Sequence, residues 1–461
     1  MSTMEEAIKI AAANRDQALE DFKALVRIPS ISTLPEHSMD IQRAADWLAA
    51  RLEKLGFENV QIFPTEKHPV VYGEMLTAGA DAPTVLVYGH YDVQPPDPLD
   101  EWESDPFEPV ERDGNLYGRG ASDMKGQLIA QLRSVEAMLQ AGDLPINLKY
   151  MLEGEEEIGS PHLAAFIRAH ADLLKSDLCL NVDLGITAED MPSITYSLRG
   201  LSYFELRLRA GKSDLHSGLF GGVVDNPAIV LSRLIADMKD ASGRILLPGF
   251  YDDVRALDEE ERKAMNAMSD DWWLEQSGAF ELFGEEGFTP GERAVGRPTL
   301  DVNGILSGFT GEGSKTVLPA EAMAKISMRL VPDQDPAAVH ASLHAYLEEN
   351  IPSTVEWTLD EHASSKPSIV ERDSVGMQAA VTALEDVWHA PVSFVRMGGS
   401  IPVVGLIQEI LNIDTIPLGF ALPDDNIHAP NEKQNLTTFF RGIEAYIRFT
   451  YNLARLSREV R

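Results

Sequence analysis

The sequence predicts an α/β protein in which a mostly parallel sheet is sandwiched by helices, with a smaller α+β domain inserted into it. Over residues 1–197, short apolar runs alternate with helical patterns, which is typical of parallel sheets. At about residue 198 the runs change to strict apolar–polar alternation, which indicates strands with one exposed face. From about residue 365 the first pattern returns, so we expect residues 1–197 and 365–461 to form one domain around an insertion at 198–364.

The first part of the chain begins with two predicted helices at 4–26 and 39–55. Apolar residues recur there at helical spacing, and the runs stop at Pro29 and Gly56. The run at 84–88 is almost wholly apolar, as expected of a strand that is buried on both faces. The remaining predicted elements of this part are strands at 60–63, 69–74, 147–152 and 177–182 and helices at 126–140 and 161–171.

The inserted part is recognised by its one-sided strands. In the run 203–209, Phe204, Leu206 and Leu208 fall on one face, and polar residues fall on the other. The other predicted elements are a strand at 324–330, helices at 227–240 and 337–349, and a loop-and-helix excursion at about 243–300. After the insertion we predict a helix at 375–388, a strand at 415–420 and a final helix at 436–456.

The charge balance excludes two classes of partner. The 461 residues are enough for two or three domains, and 39 Lys and Arg against 73 Asp and Glu give a net charge of −34. That field repels phosphate backbones and anionic lipids, so we expect neither nucleic-acid nor membrane partners, and it attracts divalent cations. The single cysteine, Cys179, excludes an intrachain disulfide and a multi-cysteine zinc site. Because the first residues carry acids and no apolar stretch, we expect a cytoplasmic protein.

Polar side chains follow the buried strands at the points where the strands end. They are His90 after the strand at 84–88, Glu156 and Glu157 after 147–152, Asp183 after 177–182, and His428 in the loop after 415–420. Ligands of open α/β sheets bind at the carboxyl ends of the strands, and Asp123 precedes the helix that begins near Gly126. Imidazole and carboxylate without thiolate favour zinc or manganese in a hydrolytic site.

Two local patterns refine this expectation. Asp92 lies two residues after His90, on the same side of an extended segment, where its carboxylate can fix the tautomer of a metal-bound imidazole. In the run Glu155-Glu156-Glu157, one carboxylate can hold a metal while a neighbour serves as general base. The run leaves the register open, and Glu155 is the next candidate for the base.

Six longer motifs lie along the chain. They are Gly89-His90-Tyr91-Asp92-Val93-Gln94-Pro95, Gly118-Arg119-Gly120-Ala121-Ser122-Asp123-Met124-Lys125-Gly126, Glu153–Ser160, 192–200, Asp214-Leu215-His216-Ser217-Gly218, and Arg396-Met397-Gly398-Gly399-Ser400-Ile401-Pro402. Together these motifs resemble those of the dinuclear zinc peptidases that include aminoacylase, carboxypeptidase G and cytosolic nonspecific dipeptidase, with the carnosinase-like dipeptidase branch the nearest. The resemblance spans nearly the whole chain, from Arg27-Ile28-Pro29-Ser30 to Asn431-Glu432-Lys433.

The resemblance implies a site with two divalent ions per subunit, zinc first, with manganese or cobalt as alternatives. It makes Asp123 the bridging ligand, with His90 and Asp183 on one ion and Glu157 and His428 on the other. It makes Glu156 the general base and Asp92 the residue that orients His90. It places His216, on a lid domain at 198–364, in the partner subunit's site to stabilise the oxyanion, Arg329 on the substrate carboxylate, and Ser400 in the substrate pocket.

The expected function is a metal-dependent dipeptidase, in which a metal-bridging water attacks the peptide bond of a small peptide and Glu156 moves the proton. The expected assembly is a homodimer through the lid domain. The alternatives are an N-acyl-amino-acid deacylase of the acetylornithine or succinyl-diaminopimelate type, a carboxypeptidase, and a non-catalytic metal- or peptide-binding relative. The last would require a missing ligand or base, and none is missing from the sequence.

Overall fold

The structure is a computed structural model that describes residues 3–266, 268–399 and 402–460. The chain divides into two compact units. Unit 1 comprises Met1–Tyr196, Val370–Val395 and Leu406–Arg461, and unit 2 comprises Ser197–Ile369 and Arg396–Gly405. No helix in the described ranges is both long and apolar enough to cross a membrane.

The strands in chain order are β1 (Glu58–Phe63), β2 (Val70–Met75), β3 (Thr84–His90), β4 (Val110–Arg112), β5 (Asn115–Tyr117), β6 (Asn147–Glu153), β7 (Leu178–Asn181), β8 (Ser193–Leu198), β9 (Gly200–Arg209), β10 (Leu215–His216), β11 (Thr299–Ser307), β12 (Val317–Leu318), β13 (Glu321–Leu330), β14 (Glu356–Ser365), β15 (Ser368–Ile369), β16 (Ser393–Met397), β17 (Asp414–Pro417) and β18 (Lys433–Asn435).

The helices are α1 (Thr3–Ala13), α2 (Arg15–Val26), α3 (Ser38–Leu55), α4 (Gly126–Ala141), α5 (Leu163–Ala169), α6 (Ala171–Leu174), α7 (Ser217–Phe220), α8 (Pro227–Asp237), α9 (Glu259–Met265), α10 (Asp270–Ser277), α11 (Pro290–Val295), α12 (Pro336–Asn350), α13 (Val375–Trp388), α14 (Pro402–Leu411) and α15 (Leu436–Val460). Short helical turns lie at Pro35–His37, Leu99–Glu101, Ala121–Lys125 and Glu156–Ile158.

Unit 1 is built on a six-stranded sheet in the order β1-β2-β6-β3-β7-β17. The last four strands run parallel, whereas β1 and β2 pair antiparallel at one edge. All seven residues of β6 are buried, because helices and loops cover both faces of a parallel sheet. The expected mixed α/β fold with a mostly parallel sheet is therefore confirmed.

Unit 2 contains a four-stranded antiparallel sheet in the order β11-β13-β9-β14. One face is apolar, since alternate residues of β9 and β13 such as Phe204, Leu206 and Ile326 are fully buried. Helices α8 and α12 pack against this sheet and close a core of its own. Strands β11 and β14 form its two edges.

Some boundaries differ from the sequence expectation. The helix expected at 4–26 is two helices, because the backbone of Asn14 leaves the helical region (φ −104°, ψ 23°). The stretch expected at 161–171 contains α5 and α6, and the strand expected at 415–420 ends at Pro417 as β17. Both edge strands of the second sheet, β11 and β14, were not expected.

Candidate active site

Four neighbouring parallel strands deliver polar residues to one end of the sheet of unit 1. His90 is the last residue of β3, the Glu156–Ile158 turn follows β6, and Asp183 follows β7 by two residues. The loop after β17 carries His428. Because β6, β3, β7 and β17 are parallel neighbours, their carboxyl ends open on the same crevice.

Asp123 lies at the centre of this crevice, between two imidazoles. Its Oδ1 atom is 3.0 Å from Nε2 of His90, and its Oδ2 atom is 3.1 Å from Nε2 of His428. The residue belongs to a short helical turn that follows Gly120, whose φ of +80° is a conformation that favours glycine. A Cβ atom at Gly120 would lie 2.4 Å from Val93 Cγ1, so the turn also needs glycine for space.

The remaining predicted ligands complete the cluster. Asp183 Oδ2 is 3.6 Å from Nε2 of His90, and Glu157 Oε2 is 3.1 Å from Nε2 of His428. Ligand atoms of His90, Asp123 and Glu157 all lie within 4.8 Å of one another, a spacing suited to a metal ion. The structure thus brings the five predicted ligands together, in the two groups that share Asp123.

The electrostatics of the cluster favour added cations. Burial, together with the charges of Asp123 and Glu157, raises the pKa of Asp183 to about 7. Hydrogen bonds with Asp123 and Glu157 raise the pKa of His428 to about 10. These raised pKa values show that the carboxylates of the cluster repel one another. When no metal ion is bound, imidazolium groups are the cations that offset this repulsion. Divalent ions relieve that repulsion, so the donor set fits a dinuclear site.

Asp92 contacts both the predicted metal ligand His90 and the turn that carries Glu156 and Glu157. The Nδ1 atom of His90 is 3.1 Å from the main-chain oxygen of Asp92 and 3.4 Å from its Oδ1 atom, which directs Nε2 towards Asp123. The carboxylate of Asp92 also accepts hydrogen bonds from the backbone N–H groups of Glu156 (3.2 Å) and Glu157 (3.1 Å). One buried carboxylate therefore orients His90 and fixes the turn that carries the two glutamates.

The three successive glutamates have different surroundings. The carboxylate of Glu155 accepts hydrogen bonds from the Thr65 hydroxyl and the His68 N–H, both at 2.7 Å, and lies 2.8 Å from Nδ1 of His162. These contacts make it a structural group. Burial, together with the charges of Asp183 and Asp123, raises the pKa of Glu156 to about 8. A carboxylate with that pKa can exchange a proton near neutral pH.

Glu432 lies at the end of the stretch that carries the resemblance, and no role was predicted for it. The buried Glu432 carboxylate accepts hydrogen bonds from the N–H groups of Gly120, Ser122 and Asp123 and pairs with Arg119 at 2.7 Å. A buried ion pair leaves no signal in one sequence. Gln94, also missed, donates to the carboxylate of Glu157 at 2.8 Å.

Of the other predicted site residues, His216 and Arg329 belong to unit 2. His216 is exposed at the end of β10, and its Nδ1 atom accepts a hydrogen bond from the N–H of Gly218 at 3.0 Å. Arg329 lies on β13. Burial and the charge of Arg329 lower the pKa of Arg199, for which no role was predicted, to about 10. Ser400 lies outside the described residues.

The carboxyl end of the parallel sheet carries two imidazoles and three carboxylates, together with a fourth carboxylate of raised pKa. This arrangement defines the site of a metal-dependent hydrolase. The chain belongs to peptidase family M20/M25/M40, whose model matches residues 86–452. The predicted membership of this peptidase family is therefore confirmed, and so is the prediction that the chain is a metallopeptidase.

Known proteins match this chain over nearly its whole length. Beta-Ala-His dipeptidase of Homo sapiens is 32% identical, over 98% of this chain and 93% of the relative. Cys-Gly metallodipeptidase dug1 of Schizosaccharomyces pombe is 30% identical over 99% of each chain. Among solved structures, the M20 family metallo-carboxypeptidase Sso-CP2 of Sulfolobus solfataricus is similar with a TM-score of 0.83 and 34% identity, covering 95% of this chain and 99% of that one.

Proposed function

We propose that this chain is a metal-dependent dipeptidase that hydrolyses the peptide bond of small peptides. The observation that carries the proposal is the Asp123 carboxylate, with one oxygen facing His90 and the other facing His428. Full-length relatives that are named as dipeptidases support the choice of substrate. The domain at 1–197 and 365–461 would carry out the chemistry, and the domain at 198–364 would act as the lid.

Two divalent ions would occupy the cluster, with zinc the first choice and manganese or cobalt the alternatives. His90, Asp123 and Asp183 would hold one ion, and Asp123, Glu157 and His428 the other. Such ions polarise a carbonyl group and lower the pKa of water, which makes amide hydrolysis feasible at neutral pH. The nitrogen and oxygen donors here are those that zinc accepts in catalytic sites.

Glu156 is the proposed general base. The hydrogen bonds to Thr65, His68 and His162 are made by Glu155 and not by Glu156. The raised pKa of Glu156 suits a group that accepts and returns a proton near neutral pH. Glu156 would take a proton from the attacking water and deliver it to the leaving amine. Asp92 would keep Glu156 in place through the backbone hydrogen bond at 3.2 Å.

Residues of unit 2 would bind the rest of the substrate. Because Gly218 donates to Nδ1 of His216, the neutral ring carries its proton on Nε2, where it can be donated to a developing oxyanion. Arg329 would bind the substrate carboxylate, and the nearby guanidinium of Arg199 adds a second positive charge. Arg199 also donates to the Gly398 oxygen at 2.8 Å, in the turn that precedes Ser400, our candidate for the pocket lining.

The proposed homodimer would form through unit 2. Edge strand β11 exposes Ile305 and Leu306, and the segment at α7 and α8 exposes Leu219, Val223 and Ile229. An apolar strand at a sheet edge is a template for pairing with another strand, and a second copy of β11 supplies one. The cytoplasmic location that we expect from the sequence stays a prediction.

The test is metal content and a substrate panel on one preparation. We expect two divalent ions per chain in the cluster around Asp123, and hydrolysis of unblocked dipeptides. Preference for the N-acetylated counterparts would instead indicate a deacylase, and release of single residues from the C-terminus of longer peptides would indicate a carboxypeptidase. A metal-loaded preparation that cleaves none of these substrates would contradict the proposal.

A further inference from the structure

Unit 2 has a cavity on the side of its sheet that is covered by α12. The cavity has a volume of about 470 Å³ and lies between α12 and edge strand β14. Its helix wall contains Ala337, Ala341 and Ala345, which follow one another at a spacing of four residues. Small side chains along one stripe leave room for a ligand, and the polar groups beside that stripe determine which ligand fits.

Two imidazoles project from the same face of α12 into this cavity. His340 and His344 are four residues apart, so they are neighbours one turn apart on the helix surface. This is the spacing with which helical histidine pairs hold zinc. Each ring also packs on an aromatic ring: His340 on Phe204 with centroids 5.3 Å apart, and His344 on Trp357 at 5.0 Å.

A carboxylate from the opposite wall reaches the first imidazole. Oε2 of Glu361, on β14, is 3.2 Å from Nδ1 of His340. Two ligands at about 2.0–2.1 Å from a tetrahedral ion are about 3.3 Å apart, so this pair already has the separation that a shared ion requires. Glu348 lies 3.9 Å from His344 and provides a further carboxylate at the cavity rim.

We propose that His340, His344 and Glu361 form a second, non-catalytic metal site, which binds a divalent transition ion such as Zn²⁺ and links α12 to edge strand β14. As the side chains stand, three ligand atoms do not all meet within 4.8 Å here. The ring of His344, which is half exposed and lies against Trp357, would have to turn towards His340 and Glu361 to complete the site. Imidazole and carboxylate are suitable donors for this class of ion, and the acidic chain attracts it.

The experiment is equilibrium dialysis of the whole enzyme against micromolar free Zn²⁺, comparing wild type with His340→Ala, His344→Ala and His362→Ala. His362 is the matched control: it is a neighbour of Glu361 on β14 with similar exposure, but its ring lies near Glu205 and Tyr203 instead of α12. We expect His340→Ala and His344→Ala each to bind one zinc ion fewer per chain than wild type, and His362→Ala to bind as many as wild type.

The readout is the difference in zinc content between variants. It therefore does not depend on how many ions are held by the strand-end cluster, which consists of His90, Asp123, Glu157, Asp183 and His428. Dipeptide hydrolysis should be the same in all four proteins, because none of the substituted residues belongs to that cluster. As a second readout, Ni²⁺ should quench the total tryptophan fluorescence more in wild type than in His340→Ala, because Trp357 packs on the ring of His344. Equal zinc content in wild type and both α12 variants, or an equal loss in His362→Ala, would overturn the inference.

Discussion

The carboxylate of Glu432 accepts a hydrogen bond from the backbone N–H of Asp123 at 3.1 Å, although the two residues are 309 positions apart in the chain. The same carboxylate binds two further N–H groups of that turn and the Arg119 guanidinium. It therefore joins the turn that carries Asp123 to the loop that carries His428. Replacing residues that orient metal ligands in this way typically weakens metal binding about 10- to 100-fold.

Replacing this carboxylate should loosen the metal site. We expect Glu432→Gln to bind divalent ions about 10- to 100-fold more weakly, measured by competition with a chelator. The variant should also unfold more easily, because Arg119 would be left buried without a charged partner. Glu108→Gln is the control, since it breaks an exposed pair with Arg27. Unchanged affinity in Glu432→Gln would show that the contact has no positioning role.

Substitutions at the neighbouring residues Glu156 and Glu155 should have different effects, one on catalysis and the other on stability. We expect Glu156→Gln to keep its metal and to lose about 10²–10⁴-fold in kcat, because the proton acceptor is gone. We expect Glu155→Gln to keep kcat within a few-fold and to lose about 1–3 kcal/mol of stability, because a buried hydrogen-bonded carboxylate is disturbed. Metal content, kcat and urea unfolding on both variants check this. The reverse result would move the base to Glu155.

Asp123 should determine both metal positions. Because each of its oxygens faces a different imidazole, Asp123→Ala removes the one carboxylate shared by the two groups of ligands. We expect this variant to lose both ions after dialysis. Asp424→Ala is the matched control: this exposed acid lies in the His428 loop and pairs with Lys433, and its loss should leave the metal content unchanged. Two ions retained by Asp123→Ala would refute the bridging assignment.

The metal ligands were easier to predict from the sequence than the edge strands of the sheet in unit 2. His90, Asp183 and the turn with Glu156 and Glu157 follow apolar runs, and parallel strands open on one crevice, so their convergence follows from the strand order. Strand β14 was missed because most of its residues are exposed and its apolar alternation stops after Leu359. Glu432 was missed because a charge appears exposed until the packing around it is known.

Glu153 should make the stability of the metal-free protein depend on pH. Burial, reinforced by the charges of Asp92 and Glu156, raises the pKa of Glu153 to about 8, although Tyr88 donates a hydrogen bond to it. The folded state therefore holds a proton that the unfolded state releases near pH 4.5. The stability from this group is fully present below that pH and is lost as pH rises through about 8.

Glu153→Gln should remove this dependence, because its amide oxygen can accept the same hydrogen bonds from Tyr88 and Ser160 without becoming charged. Relative to wild type, the variant should gain stability as pH increases, by more than about 1 kcal/mol at the alkaline end. Urea unfolding in chelator across the range checks this. A stability difference that stays constant with pH would show that folding does not raise the pKa of Glu153.

Subunit mixing tests whether the active site is shared between two copies of the chain. If His216 acts on the partner subunit's site, His216→Ala and Glu156→Gln should each be inactive alone, since loss of an oxyanion donor costs about 10²–10³-fold in kcat. Mixed dimers would contain one site with neither group and one with both. Random exchange makes about half of the dimers mixed, so activity should rise to about a quarter of wild type.

The control mixes wild type with the double variant His216→Ala/Glu156→Gln. If the site is shared, the mixed dimers have no intact site and about a quarter of the activity remains. If the sites are independent, about a half remains. An inactive first mixture despite proven exchange, or a fully active monomer in sedimentation, would exclude the shared site.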